Sequence, residues 1–184
     1  MCKATSAFSP QSKEELESAV DTYLKLAPTG DGSDSPHGTI GEWDVSRVTD
    51  MNGVFADATA FNNDISKWDV SRVKDMTGMF DNAKAFSGDI SKWDVSSVTG
   101  MSHMFQNAKS FSGDISKWDV SSVADDMKAM FRNAAAFNGD ISNWDVSLVA
   151  RMNDMFWGVV QFNGDISKWD VSRVTPYLLE QTCY

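Results

Sequence analysis

The sequence predicts a right-handed α/β solenoid in which each repeat contributes one short parallel strand and one short helix. The first observation behind this prediction is the tetrapeptide Trp-Asp-Val-Ser, which recurs at intervals of 25 or 26 residues. Its tryptophans are Trp43, Trp68, Trp93, Trp118, Trp144 and Trp169. A constant period of this length is typical of stacked repeats, because one such unit cannot bury its apolar face alone.

The second observation is a short apolar segment in each repeat. In the repeat that spans 88–111, Ile90, Trp93 and Val95 lie between Gly88 and Ser96. Brief runs rich in β-branched and aromatic residues favour strands. Stacked strands of this kind would pair in parallel about 4.8 Å apart. Like residues of successive repeats would then form columns inside the stack.

The third observation is a helical spacing after each predicted strand. Ser96 is suited to cap a helix, and the apolar residues that follow it fit one face of a helix of about three turns. These residues are Val98, Met101, Met104, Phe105 and Ala108. The dipeptide Ser87-Gly88 and its equivalents predict a tight turn with left-handed backbone between repeats.

Residues 1–36 are predicted to form an N-terminal capping helix and loop. Ser12 and Glu15 form a capping box, and apolar residues follow at roughly helical spacing until Pro28. A stack of repeats needs an end piece that covers its first apolar face. An amphipathic helix directly before the first repeat suits that role, although it could instead bind a partner.

The repeat pattern predicts five repeats and a partial sixth over 37–175, with a C-terminal cap or tail over 176–184. Trp157 and Val160 occupy outward positions that hold polar residues in most other repeats. The tail is expected to cover Trp157. Alternatively, Trp157 and Val160 contact a partner chain, or they mark an artificial end of a longer array.

The repeat resembles a known family of bacterial surface proteins. Its pattern is Ile-x-x-Trp-x-Val-Ser-x-Val-x-x-Met-x-x-Met-Phe-x-x-Ala-x-x-Phe, and Phe8–Leu26 also looks like the leader found before such arrays. This unit of about 25 residues resembles the Mycoplasma lipoprotein-like or BspA-like repeat. The resemblance implies a leucine-rich-repeat-like fold and an adhesion role outside the cell or on its surface, without catalytic activity. The chain departs from the pattern by one inserted residue within 123–127 and by Val54 in place of Met.

Composition argues against several classes of partner. The net charge is −10, whereas nucleic acids and anionic membranes bind proteins with a basic surface. No apolar run approaches the roughly 20 residues of a membrane span, and the first residues do not resemble a signal peptide. We therefore expect no nucleic acid partner and no direct membrane insertion. Cys2 and Cys183 alone form no disulfide framework.

Charged residues between the inward positions are predicted to form two outward columns. One column consists of Lys67, Lys92, Lys117, Asn143 and Lys168, and its neighbour consists of Asp69, Asp94, Asp119, Asp145 and Asp170. Opposite charges on adjacent columns could neutralise each other, and such pairs would merely keep the face solvated and in register. Alternatively, the columns form a flat binding surface for a glycan or protein with repeated polar groups.

No cofactor or metal is expected. A further acidic column consists of Asp64, Asp89, Asp114, Asp140 and Asp165. Calcium requires six to eight oxygen ligands, but the sequence contains neither an EF-hand nor a calcium-binding nonapeptide. We expect each of these carboxylates to accept hydrogen bonds from amides of its own loop.

The sequence predicts no enzyme. His37 and His103 are the only histidines and belong to different repeats, and no Ser-His-Asp or Cys-His grouping can be assembled. The resulting prediction is a non-catalytic binding or adhesion module. The alternative is a structural spacer or a self-assembling surface protein.

Overall fold

The computed structural model describes residues 7–27, 35–124 and 126–175. These ranges contain one α-helix, α1 (Lys13–Leu26), and a 3-10 helix, Ile40–Glu42. Their only β pairing consists of isolated parallel bridges, which join Asp50 with Asp75, Asp75 with Gly100, and Asp126 with Arg151. The predicted leucine-rich-repeat-like solenoid, with a strand and a helix in every repeat, was therefore wrong.

The segment predicted as a helix in each repeat is instead a series of overlapping turns. We call this segment the turn ribbon; it occupies 51–58, 76–83, 101–108, 127–134 and 152–159. In the ribbon 101–108, three amides donate to the carbonyl three residues earlier, at 3.0–3.3 Å. The intervening amides of His103, Phe105 and Asn107 donate to carbonyls of the next repeat at 2.7–2.9 Å. Alternate amides thus close local turns and join neighbouring repeats.

Left-handed backbone explains why the turn ribbon is not a helix. Every ribbon has positive φ at two residues that lie four apart. The pairs are Gly53 and Asp57, Gly78 and Asn82, His103 and Asn107, Ala129 and Asn133, and Asp154 and Gly158. An α-helix needs right-handed backbone throughout. Apart from Ala129, these are residue types that enter the left-handed region at low cost.

The segment predicted as a strand also consists of turns. The amide of Trp93 donates to the carbonyl of Ile90 at 3.2 Å, and that of Val98 donates to Val95 at 2.9 Å. The glycine that precedes this segment, Gly88, lacks the positive φ predicted for it. A Cβ atom at Gly88 would lie 3.0 Å from the ring of Phe86. Close approach to an aromatic ring therefore favours glycine there.

The predicted inward columns are confirmed. The tryptophans of the first five repeat units are at most 4% exposed, and the phenylalanines beside them are buried up to Phe137. Phe80 and Phe105 of adjacent repeats stack with ring centroids 5.6 Å apart. Buried methionines such as Met76 and Met101 fill the same core. A single apolar core therefore runs along the stacked repeats.

Each tryptophan from Trp68 onward also joins its repeat to the one before it. The indole Nε1 donates to an isoleucine carbonyl of the preceding repeat at 2.9–3.3 Å. The pairs are Trp68 with Ile40, Trp93 with Ile65, Trp118 with Ile90, Trp144 with Ile115, and Trp169 with Ile141. This bond satisfies the one polar atom of an otherwise buried side chain.

The N-terminal helix lies where the sequence predicts it. The Ser12 hydroxyl accepts from the Glu15 amide at 3.3 Å, while the Glu15 carboxylate accepts from the amide of Gln11. The buried face of α1 includes Leu16 and Tyr23, and the Tyr23 ring packs edge-on against Trp43 at 5.9 Å. The helix thus covers the first repeat. Much of the predicted loop after it, and the predicted tail 176–184, lie outside the described residues.

Substitution of Gly78 by alanine distinguishes the turn ribbon from a helix by the sign of its effect. Gly78 has φ of 61°, and an added Cβ would meet only Asp81 Cβ at 3.9 Å. We expect Gly78→Ala to lower the free energy of unfolding by about 1–2 kcal/mol, because alanine is strained at this φ. Gly78→Asn should cost less. In a helix, alanine would instead stabilise by about 1 kcal/mol; urea denaturation decides between the two.

A pair of adjacent substitutions tests which residues face inward. Trp93 is 4% exposed and donates to the Ile65 carbonyl, whereas its neighbour Lys92 is exposed. Trp93→Ala should cost roughly 3–5 kcal/mol of unfolding free energy, as large core truncations do. Lys92→Ala should cost less than about 1 kcal/mol. If chemical denaturation showed equal losses of unfolding free energy for the two variants, the assignment of Trp93 as inward and Lys92 as outward would be wrong.

Candidate functional site

The two predicted charged columns lie on the surface of the repeat stack. We call this surface the Lys/Asp face; it consists of Lys67, Lys92, Lys117, Lys168, Asp69, Asp94, Asp119, Asp145 and Asp170, all of which are exposed. In the inner repeats, the apolar residues that alternate with them are buried, as Trp93 and Val95 are on either side of Asp94. Stacking of the repeats therefore brings residues distant in sequence onto one surface.

The aspartates of this face are held by their own backbone. In each case the carboxylate Oδ1 accepts from the amide of the serine two residues later, at 3.0–3.1 Å. Asp69, Asp94 and Asp119 also accept from the hydroxyl of that serine at 2.6–2.7 Å. A carboxylate held by local hydrogen bonds keeps one orientation. The negative charges of the face thus occupy defined positions.

These hydrogen bonds also favour the ionised carboxylates. The Ser96 hydroxyl and amide lower the pKa of Asp94, because a hydrogen bond to the charged form stabilises it. The pKa of Asp145 is lowered in the same way by Ser147, although the negative charge of Asp170 opposes this shift. Asp94 and Asp145 therefore stay ionised at neutral pH.

The expected ion pairs between the two columns are not found. Within the described part of the chain, no ion pair joins a lysine of the Lys/Asp face to one of its aspartates. Lys67 pairs instead with Glu42, with Nζ 2.6 Å from Oε1. Both side chains of this pair are mostly exposed, so it contributes little to stability. Lys92, Lys117 and Lys168 take part in no ion pair with another described residue.

The lysines of the Lys/Asp face lower the pKa of aspartates in the second acidic column, which we call the acidic turn column. Its members are Asp64, Asp89, Asp114, Asp140 and Asp165, and all are exposed. Hydrogen bonds from the serine two residues later are the largest cause that lowers the pKa of each. For all but Asp140, the lysine three residues later lowers the pKa further.

Asn143 interrupts the positive column beside Asp140. Hydrogen bonds from Ser142 lower the pKa of Asp140, but the negative charges of Asp114 and Asp165 raise it. The surface of this repeat is therefore more negative than that of its neighbours.

The predicted role of the acidic turn column in closing its own loops is confirmed. The serine amide two residues after each aspartate donates to Oδ1 at 2.9–3.0 Å. Over the ranges that the structure describes, no group of three or more His, Cys, Asp or Glu side chains is arranged to hold a metal ion. The recurrence of aspartate at these positions is therefore explained by the hydrogen bonds that close each turn.

The two histidines have separate surroundings. His37 stacks on Phe8, with ring centroids 3.8 Å apart, and lies beside Trp43. His103 has left-handed backbone, and its Nδ1 lies 2.9 Å from Oε1 of Gln106. Neither ring contacts a nucleophile or a carboxylate in these interactions. His37 also lines an open cavity of about 820 Å³ beside the first repeat, which no sequence motif indicated.

The outward positions predicted for Trp157 and Val160 are confirmed, and both side chains are exposed. Their exposed fractions are 57% and 79%. The guanidinium of Arg132 lies 4.7 Å from the centre of the Trp157 ring and also pairs with Asp154 at 3.4 Å. This cation–π contact covers one side of the indole. The tail predicted to cover Trp157 lies outside the described residues.

A comparison with protein families identifies the repeat region. The model of a family described as "Mycoplasma protein of unknown function, DUF285" matches residues 31–125 and 114–178. The chain belongs to this family. Membership in the DUF285 family agrees with the predicted Mycoplasma-type repeat, while the closer relation to BspA-like proteins stays a prediction. Searches of curated proteins and of solved structures found no match.

Among helices in the described ranges, none has both the length and the apolar character that crossing a membrane requires.

The pKa shifts predict a loss of stability in acid. Because folding lowers the pKa of Asp94 below its ordinary value of 3.8, this carboxylate stabilises the fold above that value. The contribution disappears as pH falls through the lowered folded-state pKa. Asp94→Asn should therefore destabilise the protein at pH 7 and have little effect at about pH 2.

Urea denaturation at several pH values measures this difference. Asp21→Asn, on the exposed face of α1, is the control and should change stability little at either pH. If Asp94→Asn were equally destabilising at both values, the carboxylate charge would not be the cause.

Proposed function

We propose that this protein is a non-catalytic binding or adhesion module that uses the Lys/Asp face to bind a surface protein or glycan. The observation that carries this proposal is the repetition of oriented carboxylates along the stack, beside lysines of which three (Lys92, Lys117 and Lys168) make no ion pair with a described residue. The proposal places the protein outside the cell or on its surface. The resemblance to BspA-like surface proteins supports that location.

The rigid spacing of the face supports binding to a ligand that is itself repetitive. Amide hydrogen bonds join the repeats, so equivalent residues recur at a short, regular spacing, as the rings of Phe80 and Phe105 do at 5.6 Å. The Asp94 and Asp119 carboxylates are already oriented by their serines. Groups that are ordered before binding lose less conformational entropy when a ligand arrives.

The chemistry of the face suits a polymer with hydroxyl and anionic groups. The aspartates can accept hydrogen bonds from hydroxyl groups, while Lys92 and Lys117 can donate to carboxylate or sulfate groups. Each exposed contact is weak. Several repeats that contact one polymer gain affinity, because every contact after the first forms within the same complex.

The surroundings of the histidines support a non-catalytic role. The His103 ring has a polar contact with the Gln106 side-chain amide, and His37 packs among aromatic rings. A general base would instead need a nucleophile within hydrogen-bonding reach.

A structural spacer or self-assembling surface protein is the second candidate. It is favoured by the apolar residues that the last repeat exposes, including Trp157 and Val171. Large exposed apolar patches are typical of protein–protein contacts. In that role, the ends of the stack rather than the Lys/Asp face would carry the function.

Arrays of glycans and matrix proteins test the proposed binding surface. The wild type should bind selectively, and Lys92→Gln combined with Lys117→Gln should weaken binding at least roughly tenfold, because two adjacent cations are lost. Lys25→Gln, at an exposed position of α1, is the matched control and should bind normally. Binding should also weaken at high salt.

Light scattering on the wild-type protein, combined with the array signals, distinguishes the two candidate functions. A binding module should remain monomeric in light scattering while it shows selective array signals. Absence of any selective signal, together with oligomers that grow with concentration, would contradict the binding proposal and favour the spacer.

A further inference from the structure

Three asparagines of this chain are followed directly by glycine. They are Asn52, Asn138 and Asn163. In such a pair, the backbone nitrogen of the glycine can attack the side-chain carbonyl carbon of the asparagine, because glycine has no Cβ atom to obstruct the approach. Attack requires the two atoms to come within about 3–3.5 Å of each other with suitable alignment. The surroundings of each pair therefore decide how readily it reacts.

The turn ribbon protects the pair Asn52-Gly53 from this reaction. The backbone amide of Gly53 donates to the Thr77 carbonyl at 3.0 Å, and that of Asn52 donates to Asp50 Oδ1 at 2.8 Å. Gly53 also has left-handed backbone, and both residues of the pair are half-buried. A nitrogen whose N–H is held by a carbonyl does not become a nucleophile until that bond opens. This pair should therefore react slowly.

The other two pairs lie at equivalent positions of adjacent repeats and share their local sequence. Each is part of the hexapeptide Phe-Asn-Gly-Asp-Ile-Ser, at 137–142 and at 162–167, and both asparagines are exposed. Among the described residues, none accepts a hydrogen bond from the amide of Gly139 or of Gly164. A Cβ atom at these glycines would lie 3.0 Å and 2.8 Å from the phenylalanine ring two residues earlier. The two nucleophiles therefore have similar surroundings.

The side chains of these two asparagines differ. Asn138 Oδ1 accepts a hydrogen bond from the backbone amide of Asn163 at 2.8 Å, as Asn62 Oδ1 does from the Ser87 amide. This bond between repeats holds the Asn138 side chain in one orientation. Within the part of the chain that the structure describes, the Asn163 side chain forms no hydrogen bond. It can therefore rotate until its carbonyl carbon faces the Gly164 nitrogen.

We propose that Asn163 is a site of spontaneous deamidation in the folded protein and reacts before Asn138 and Asn52. The Gly164 nitrogen loses its proton to solvent and forms a bond with Cγ of Asn163. The bond from Cγ to Nδ2 breaks, Nδ2 takes up a proton and leaves as ammonia, and a five-membered succinimide ring remains. Water then opens the ring at either carbonyl, which leaves aspartate or isoaspartate at position 163. No oxidant or reductant is required, because water is the only co-reactant.

Either product adds a negative charge to an exposed position two residues before Asp165. Hydrogen bonds from Ser167 and the charge of Lys168 lower the pKa of Asp165. A neighbouring carboxylate should oppose this shift, just as the charges of Asp114 and Asp165 raise the pKa of Asp140. The surface charge of this repeat would thus change with the age of the protein.

Isoaspartate has a further effect on the backbone. The main chain then passes through the former side chain and gains one carbon atom before Gly164. This glycine packs too closely against the Phe162 ring to admit even a Cβ atom without a shift, so the lengthened chain should disturb that contact. This effect does not depend on what the Lys/Asp face binds.

Incubation of the full chain at mildly alkaline pH tests the order of reaction. Alkaline pH favours the deprotonated glycine nitrogen, and tandem mass spectrometry of protease digests locates the replacement of a side-chain NH2 by OH. Asn163 should react at least roughly threefold faster than Asn138 and at least roughly tenfold faster than Asn52. Isoaspartate should appear among the products, because the succinimide opens at either carbonyl.

The same incubation in urea is the matched control for the effect of the fold. Because Asn138 and Asn163 have the same neighbours from phenylalanine to serine, they should react within roughly twofold of each other in the unfolded chain. In the folded protein, Asn163→Gln should abolish the fast reaction, since glutamine would have to form a six-membered ring. This variant keeps the backbone amide that binds Asn138, so the rate at Asn138 should not change.

Several outcomes would overturn the proposal. These are equal rates at Asn138 and Asn163 in the folded protein, a faster reaction at Asn138 or Asn52, and formation of aspartate without isoaspartate. A folded protein that stays intact at Asn163 while the unfolded chain reacts would overturn it as well, because the fold would then hold this side chain or the Gly164 nitrogen in place.

Discussion

The hydrogen bonds between successive turn ribbons are the constraint on which the rest of the structure depends. Alternate amides of one ribbon donate to the next, as His103 does to Lys128, and the remaining amides close local turns. Nearly all polar backbone groups of the inner ribbons can thus be satisfied without a helix or a sheet. The same spacing aligns the phenylalanine rings, such as Phe80 with Phe105, so backbone pairing and core packing support each other.

This arrangement makes the surface as regular as the core. Asp94 and its equivalents are oriented by serines of their own turns, while the amide ladder determines the distance between repeats. The carboxylates of this surface therefore recur at a regular spacing along the stack. The two ends of the stack also differ within the described residues: α1 packs against the first repeat, whereas Ile166 and Val171 are partly exposed at the other end.

Which residues are buried could be read from the sequence, but the backbone path could not. The tryptophan, phenylalanine and methionine columns followed from identities at a constant period, and the outward positions of Lys92 and Asp94 followed from their places between apolar neighbours. The apolar spacing from Val98 to Ala108 also fits a helix, and that interpretation was wrong. Gly78 and Asn82, at equivalent places in the previous repeat, carried the missed signal because both residue types tolerate left-handed backbone.

The sequence by itself determined the repeat period, the composition of the core and the residues of the Lys/Asp face, because these depend on residue identity at fixed spacing. Only the tertiary structure decided that the repeats consist of turns and that Lys67 pairs with Glu42 rather than with Asp69 or its neighbours. The physical reason is that both outcomes depend on groups about 25 residues away in the chain. A local pattern of apolar residues does not specify which distant carbonyl an amide reaches or which carboxylate a lysine meets.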